Sequence, residues 1–285
     1  MTPVIEARNL TKRYGNTLAV DHINFAIPAG RIVGLIGPNG AGKTSALKAI
    51  LGLTTFEGEL KVLGKNPSAD RAALMEEVCF IADVAVLPRW AKVWQLIEFT
   101  ENIHPKFSRE KCLRYLNLTK ITLDNKVKQL SKGMVAQLHL AIVMAIDAKL
   151  LVLDEPTLGL DILYRKEFYT HLLNDYFDEH RSILITTHQV EEVEHILSDL
   201  VFIKEGQLVL DCSMEEVEER YIEVLVSPDK ADQARALSPM FERQLFGKHI
   251  FLYRDTQRDS LSALGETRTP NVADLFVATM SGGEQ

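Results

Sequence analysis

Residues Gly37-Pro38-Asn39-Gly40-Ala41-Gly42-Lys43-Thr44, followed by Ser45, carry the spacing G-x-x-x-x-G-K-T, which is that of a phosphate-binding loop. The glycines let the backbone fold into a nest of N–H donors, and the start of a helix adds the positive end of its dipole. Lys43 is expected to reach the β- and γ-phosphates of a nucleotide and the Thr44 hydroxyl to bind Mg²⁺. Gly37, Gly40 and Gly42 do not fit the dinucleotide spacing G-x-G-x-x-G. Two further places carry chemistry. The apolar run Leu150-Leu151-Val152-Leu153 ends in Asp154-Glu155-Pro156, and Ser182 to Thr187 ends at His188. A carboxylate beside a metal-associated aspartate can face an attacking water, and phosphoryl transfer asks mainly for such positioning and for charge neutralisation. A solvated charge at a strand end is the alternative for Glu155, but Pro156 and the apolar strand fix its position. His188 gains weight from its place at a strand end on the edge that carries the phosphate loop. The other seven histidines have no such setting, and His188 and His195 do not make an H-E-x-x-H zinc pattern.

These residues need elements to hold them. Arg31 to Ile36 reads as a short buried strand entering the loop, and Ser45 to Leu51 as the helix leaving it. Val4 to Leu10 and Ala19 to Ile27 alternate as strands about a tip at Tyr14-Gly15-Asn16. Tyr14 is either a half-buried packing aromatic or, this close to a phosphate loop, a platform on which adenine stacks. Glu59 to Leu63 and Val78 to Ala82 are further strands. Trp90 to Thr100, Ser108 to Leu116 and Ser131 to Ile146 have apolar positions at helical spacing, so residues 88–148 form a helical insertion. Asp161 to Tyr176 and Gln189 to Leu197 read as helices, and Val201 to Ile203 pairs with Gln207 to Leu210 about Glu205-Gly206. Strands separated by helices imply a mostly parallel, covered sheet. Beyond residue 212 the character shifts. Met214 to Arg220 is an acidic helix, Tyr221 to Val226 and His249 to Tyr253 are strands, and Lys230 to Leu237 and Val272 to Met280 are helical.

The composition narrows the function. The 285 residues suit one large domain with an appendage, and a hydrophobic content of 46% supports a full core. With 32 Lys and Arg against 39 Asp and Glu, the net charge of −7 speaks against nucleic acid as a partner. Cys79, Cys112 and Cys212 are too scattered for a metal site or a disulfide framework and are expected to be reduced and structural. No apolar run approaches the roughly 20 residues of a membrane span. Glu6 and Arg8 within an alternating strand argue against a signal peptide. Action at a membrane would therefore run through a partner.

At Leu130-Ser131-Lys132-Gly133-Met134 and at Leu153-Asp154-Glu155-Pro156 the chain resembles an ABC transporter ATP-binding subunit, over residues 1 to about 212. The resemblance implies an α/β fold: a P-loop NTPase (RecA-like) core, an antiparallel β subdomain, the helical subdomain at 88–148, and a small C-terminal α+β appendage at 213–285. It implies ATP and Mg²⁺, with Asp154 in the metal shell, Glu155 as the catalytic carboxylate, His188 as the switch histidine that bonds the γ-phosphate, and Tyr14 as the adenine platform. Gly159-Leu160-Asp161 matches the loop that crosses between subunits. Ser131 and the N–H of Gly133 would face the γ-phosphate held by a second, identical or homologous, motor subunit in a head-to-tail dimer. Two departures stand out. Lys132 replaces the first glycine of L-S-G-G-Q and Met134 its glutamine, a form similar to that of exporter subfamilies. Asp83 stands where the family has a metal-touching glutamine, and it is either a metal ligand through water or a plain loop carboxylate. The expected role is the motor of an exporter whose permease is a separate membrane protein, placing the chain in the cytoplasm against the inner face of the membrane. A soluble assembly ATPase and an importer subunit are the alternatives.

Overall fold

The computed structural model describes residues 3–82, 87–158 and 160–281. Asp83 and Gly159 lie outside them. The chain opens with the hairpin β1 (Ile5–Tyr14) and β2 (Thr17–Ile27), in which Tyr14 pairs with Thr17. The strand β3 (Ile32–Ile36) then leads through the phosphate loop into α1 (Lys43–Ile50). Next come β4 (Glu57–Val62), a short α2 (Arg71–Met75) that the sequence pattern does not signal, and β5 (Val78–Ile81). Strands β2, β1 and β4 form an antiparallel sheet whose apolar face packs with β3 and α1 in one cluster containing Ile5, Leu10, Val20, Val33, Leu47 and Ile50.

The helical insertion contains α3 (Val93–Ile103), α4 (Arg109–Leu116) and α5 (Lys132–Met144). The first of these begins later than the apolar pattern, because exposed Trp90 sits in a turn after Pro88 and Lys92 is the cap, its N–H donating to the Gln95 side chain at 2.9 Å. Helix α5 is buried on two sides. Leu138 and Ile142 pack with Val93, Ile97 and Cys112 of the insertion, while Leu140, Val143 and Met144 join the central core. That double burial explains why its sequence is apolar nearly all round.

The central sheet follows with β6 (Leu150–Asp154), α6 (Ile162–His171), β7 (Ser182–Thr187), α7 (Val190–Val193), β8 (Asp199–Lys204) and β9 (Gln207–Ser213). Its order is β5-β6-β7-β3-β8-β9, parallel except for β9. Two expected helices differ in detail. The one after Asp161 closes in a π turn at Leu172–Tyr176, with Phe177 N–H donating to Leu172. The one at Gln189 to Leu197 tightens into a 3₁₀ turn at Glu194–Ile196, a spacing that buries both Val193 and Ile196 before the chain enters β8.

The C-terminal part starts with α8 (Met214–Arg220), which a Ser213/Glu216 capping box begins. It continues as β10 (Tyr221–Val226), α9 (Ala231–Arg235), β11 (Phe241–Leu245), β12 (Lys248–Arg254), α10 (Arg258–Ser262) and β13 (Gly265–Arg268). The antiparallel order β11-β12-β10-β13 with this β-α-β-β-α-β run is ferredoxin-like. One face packs Ile222, Val224, Phe251 and Tyr253 against α9 and α10. The edge strands β11 and β13 escape sequence reading because they are short and charged. Finally α11 (Val272–Ser281) returns to the central core, burying Val272, Leu275 and Ala278, setting Phe276 edge-on to Phe202 at 5.2 Å, and accepting a 2.7 Å bond from Lys204 at its Met280 carbonyl.

Candidate nucleotide site

The parallel strands β3, β6 and β7 are adjacent in register, with Ile36 opposite Thr187 and Asp154 opposite Thr186. The phosphate loop, the Asp154-Glu155 pair and His188 therefore emerge at one edge, the edge where open α/β sheets bind ligands. A cavity of about 230 Å³ opens there, lined by Ala19, Asn39, Gly40, Ala41, Gly42, Lys43, Thr44, Ser45, Asp154 and Glu155. Two glycines are dictated by close approach. A Cβ on Gly42, at φ +110°, would lie 2.2 Å from the Ala19 carbonyl oxygen, and one on Gly37 would lie 2.4 Å from that of Ile203. The turn between β8 and β9 steadies the loop, because Gly206 N–H donates to the Ala41 carbonyl at 2.9 Å and the Gly206 carbonyl accepts from Asp21 N–H at 2.8 Å. Ala19 and Gly206 have no motif to announce them.

Lys43 is 7% exposed, and its ammonium donates to the carbonyls of Gly37 at 2.6 Å and Pro38 at 3.2 Å. Burial pulls its pKa below the ordinary lysine value, against the raising effect of the Glu155 and Asp154 charges. Pro38 thus serves Lys43 through its carbonyl and does not line the cavity. Asp154 is also 7% exposed and accepts a short hydrogen bond from the Thr186 hydroxyl. Thr186 lies inside a buried strand, and no sequence signal marks it. Glu155 has its backbone in the left-handed region at φ +49°, rare for a side chain of this kind, and its carboxylate meets His188 Nδ1 at 2.8 Å. Strain at such a position is a feature of functional sites.

The remaining expected residues stand apart from this cavity. Tyr14 is 46% exposed at the hairpin end, its ring 4.7 Å from the Lys12 ammonium, and it does not line the cavity. Ser131 caps α5, its hydroxyl accepting from Met134 N–H at 3.2 Å, which leaves the Gly133 N–H in the first helical turn without an intrahelical acceptor. A Cβ on Gly133 would meet only Leu160 Cδ2, at 3.9 Å, so nothing in its own chain requires this glycine. Asp161 caps α6, accepting from Leu163 and Tyr164 N–H. Asp83 falls outside the described residues.

A glycine-cradled loop at the strand edge, with paired carboxylates and a histidine hydrogen-bonded to one of them, defines a P-loop nucleotide-binding protein. The ABC transporter family model matches residues 20–158. The Nod factor export ATP-binding protein I of Burkholderia pseudomallei is 32% identical over 308 residues, covering 96% of this chain and 95% of its own. Its counterpart in Cupriavidus pinatubonensis is 30% identical over 310 residues, covering 97% and 90%. A solved ATP-binding subunit of an ABC transporter superposes with a TM-score of 0.69 at 22% identity, over 76% of this chain and 92% of its own. The chain belongs to the ABC transporter ATP-binding subunits: it binds ATP and is an ATPase. Among the described residues no helix is long and apolar enough to cross a membrane.

Proposed function

We propose that this chain is the motor of an exporter, works as a head-to-tail pair, and drives a separate membrane permease through closing and opening around two ATP molecules. The observation that carries the exporter reading is the alignment with Nod factor export proteins over 96–97% of this chain, too much to leave out residues 213–285. We take those residues as an accessory unit set off at about residue 212 from the ATP-binding unit, and the chain as lying against the inner membrane face through its permease. An importer subunit and a soluble assembly ATPase are the competing assignments.

In the proposed reaction Lys43 exchanges the Gly37 and Pro38 carbonyls for phosphate oxygens, together with the N–H groups of the loop and the Thr44 and Ser45 region. Gly40 and Asn39 close the loop over the phosphates. Glu155 takes a proton from the attacking water while that oxygen bonds to the γ-phosphorus and the bridging P–O bond breaks, giving ADP and phosphate. The Glu155–His188 hydrogen bond supports this assignment, since it holds the carboxylate beside the cavity and leaves the histidine able to bond a γ-phosphate oxygen. The donors fit Mg²⁺: buried Asp154 and the Thr44 hydroxyl line one cavity, and no cluster of three or more His, Cys, Asp or Glu side chains among the described residues competes with them. Bound there, Mg²⁺ would neutralise charge on the β- and γ-phosphates. Tyr14 is the proposed adenine platform, Asp83 the proposed water-mediated metal ligand, and Ser131 with Gly133 the proposed contact to the partner's nucleotide. The open space at Gly133 supports the last of these.

Two measurements test the reading. Affinity purification from membranes should recover an integral membrane protein with this chain, and inverted vesicles should show ATP-driven accumulation of the cargo in their lumen. ATP-driven loss from preloaded inverted vesicles would make it an importer, and recovery of soluble partners alone would make it an assembly ATPase.

A further inference from the structure

We propose that Arg165 is a positioning residue for hydrolysis, coupling Leu160, just ahead of α6, to the switch histidine through Glu192. Arg165 stands in the first turns of α6, directly after the Asp161 cap. Its guanidinium Nε donates to the Leu160 carbonyl at 2.8 Å, and the same group pairs with the Glu192 carboxylate. Both side chains are about three-quarters buried, at 25% and 23% exposure. Glu192 lies on α7, four residues beyond His188. It also accepts from the hydroxyl of Thr157, two residues beyond Glu155, at 3.2 Å. The Gln189 amide nitrogen, turned toward the carboxylate, donates to both its oxygens at 2.8 and 3.2 Å.

One carboxylate thus gathers three segments: the one that follows Glu155, the one that follows His188, and, through Arg165, the carbonyl of the loop that precedes α6. Arginine suits this position because its planar fork can serve a carbonyl and a carboxylate at once, which lysine cannot do with the same geometry. Arg165, Glu192 and Thr157 do not line the nucleotide cavity, so they act only through their neighbours. When Leu160 shifts against a second subunit of the proposed pair, its carbonyl moves, and the Arg165–Glu192 pair passes that movement to the start of α7 and so to the Glu155–His188 contact. The inference rests on Glu155 and His188 being the catalytic pair.

The test is steady-state ATP hydrolysis by the full chain. Arg165→Met keeps the apolar stem and removes the fork. Its kcat should fall about 10- to 100-fold, the scale on which distant misplacement slows catalysis, with KM for ATP within about twofold because no nucleotide contact is lost. Glu192→Gln keeps shape and weakens the pair, so it should show the same split should Arg165→Met fold poorly. Arg165→Lys should be intermediate. In a His188→Ala background Arg165→Met should cause no further loss, since both act on one contact. Independent, multiplying losses, or a change in melting temperature or KM with kcat intact, would overturn the proposal. A wild-type rate in His188→Ala would instead overturn the catalytic-pair assignment beneath it.

Discussion

Replacing Glu155 by Gln separates chemistry from binding. Glutamine keeps the size of the side chain and can still accept from His188 Nδ1, 2.8 Å away in the wild type. It cannot take the proton of water. The phosphate loop, Thr44 and Asp154 are untouched, so ATP should bind with unchanged affinity. General-base assistance is typically worth about 10²–10⁴-fold, or about 2.7–5.4 kcal/mol on the barrier at about 1.36 kcal/mol per tenfold. Folding should be nearly unaffected, because the left-handed backbone at φ +49° is kept. Glu155→Gly should relax that backbone and stabilise the protein by up to about 1 kcal/mol while abolishing assistance, so stability and activity move in opposite directions. The assays are phosphate release under single-turnover conditions and size-exclusion chromatography with ATP and Mg²⁺, in which the Glu155→Gln dimer should outlive the wild-type one. Hydrolysis at the wild-type rate by Glu155→Gln would refute the assignment and return attention to His188 and Asp83.

Other substitutions probe the loops and the buried thiols. Gly42→Ala, with its Cβ 2.2 Å from the Ala19 carbonyl oxygen and φ +110°, should lose nucleotide affinity and melt at lower temperature; an unchanged nucleotide titration would show that the loop needs no close approach. Gly133→Ala has room in its own chain and should gain up to about 1 kcal/mol of helix stability, yet hydrolysis should fall, since in the proposed pair this group faces the partner's nucleotide; full activity in the more stable variant would remove Gly133 from the composite site. Specific activity of the dilute chain should rise with protein concentration, and a flat curve across the dimerisation range would count against pairing. Burial pushes the Cys79 thiol from an ordinary value near 9 up to about 12. The folded state therefore holds that proton where the unfolded chain has lost it, so this contribution to stability is complete below pH 9 and disappears as pH rises toward 12. A thiol reagent at pH 8 should label none of the three buried cysteines before unfolding, and rapid native labelling would contradict the burial.

The chemistry-bearing residues were readable because local sequence fixes them. A loop that must wrap phosphates needs glycine at set intervals, and a fully buried strand ending in carboxylates, Leu150 to Glu155, has few other folds open to it. The strands β6, β7 and β10 and the serine cap of α5 follow from apolar runs and capping chemistry that act over a few residues. The sequence by itself therefore determined the class of fold and pointed to the phosphate-loop residues, Asp154 and Glu155 that line one cavity. Tertiary structure alone decided how they meet. Whether His188 touches Glu155 depends on β6 and β7 being neighbours in one register. Thr186 supports Asp154, and Arg165 reaches Glu192, across separations that no local pattern encodes. The short edge strands β11 and β13 take their extended form from pairing with β12 and β10, and not from their own side chains. Local propensity reaches one turn or one strand; the close contacts that complete this site, such as His188 to Glu155, Thr186 to Asp154 and Gly206 to Ala41, join distant segments and form only when the sheet brings its strand ends to one edge.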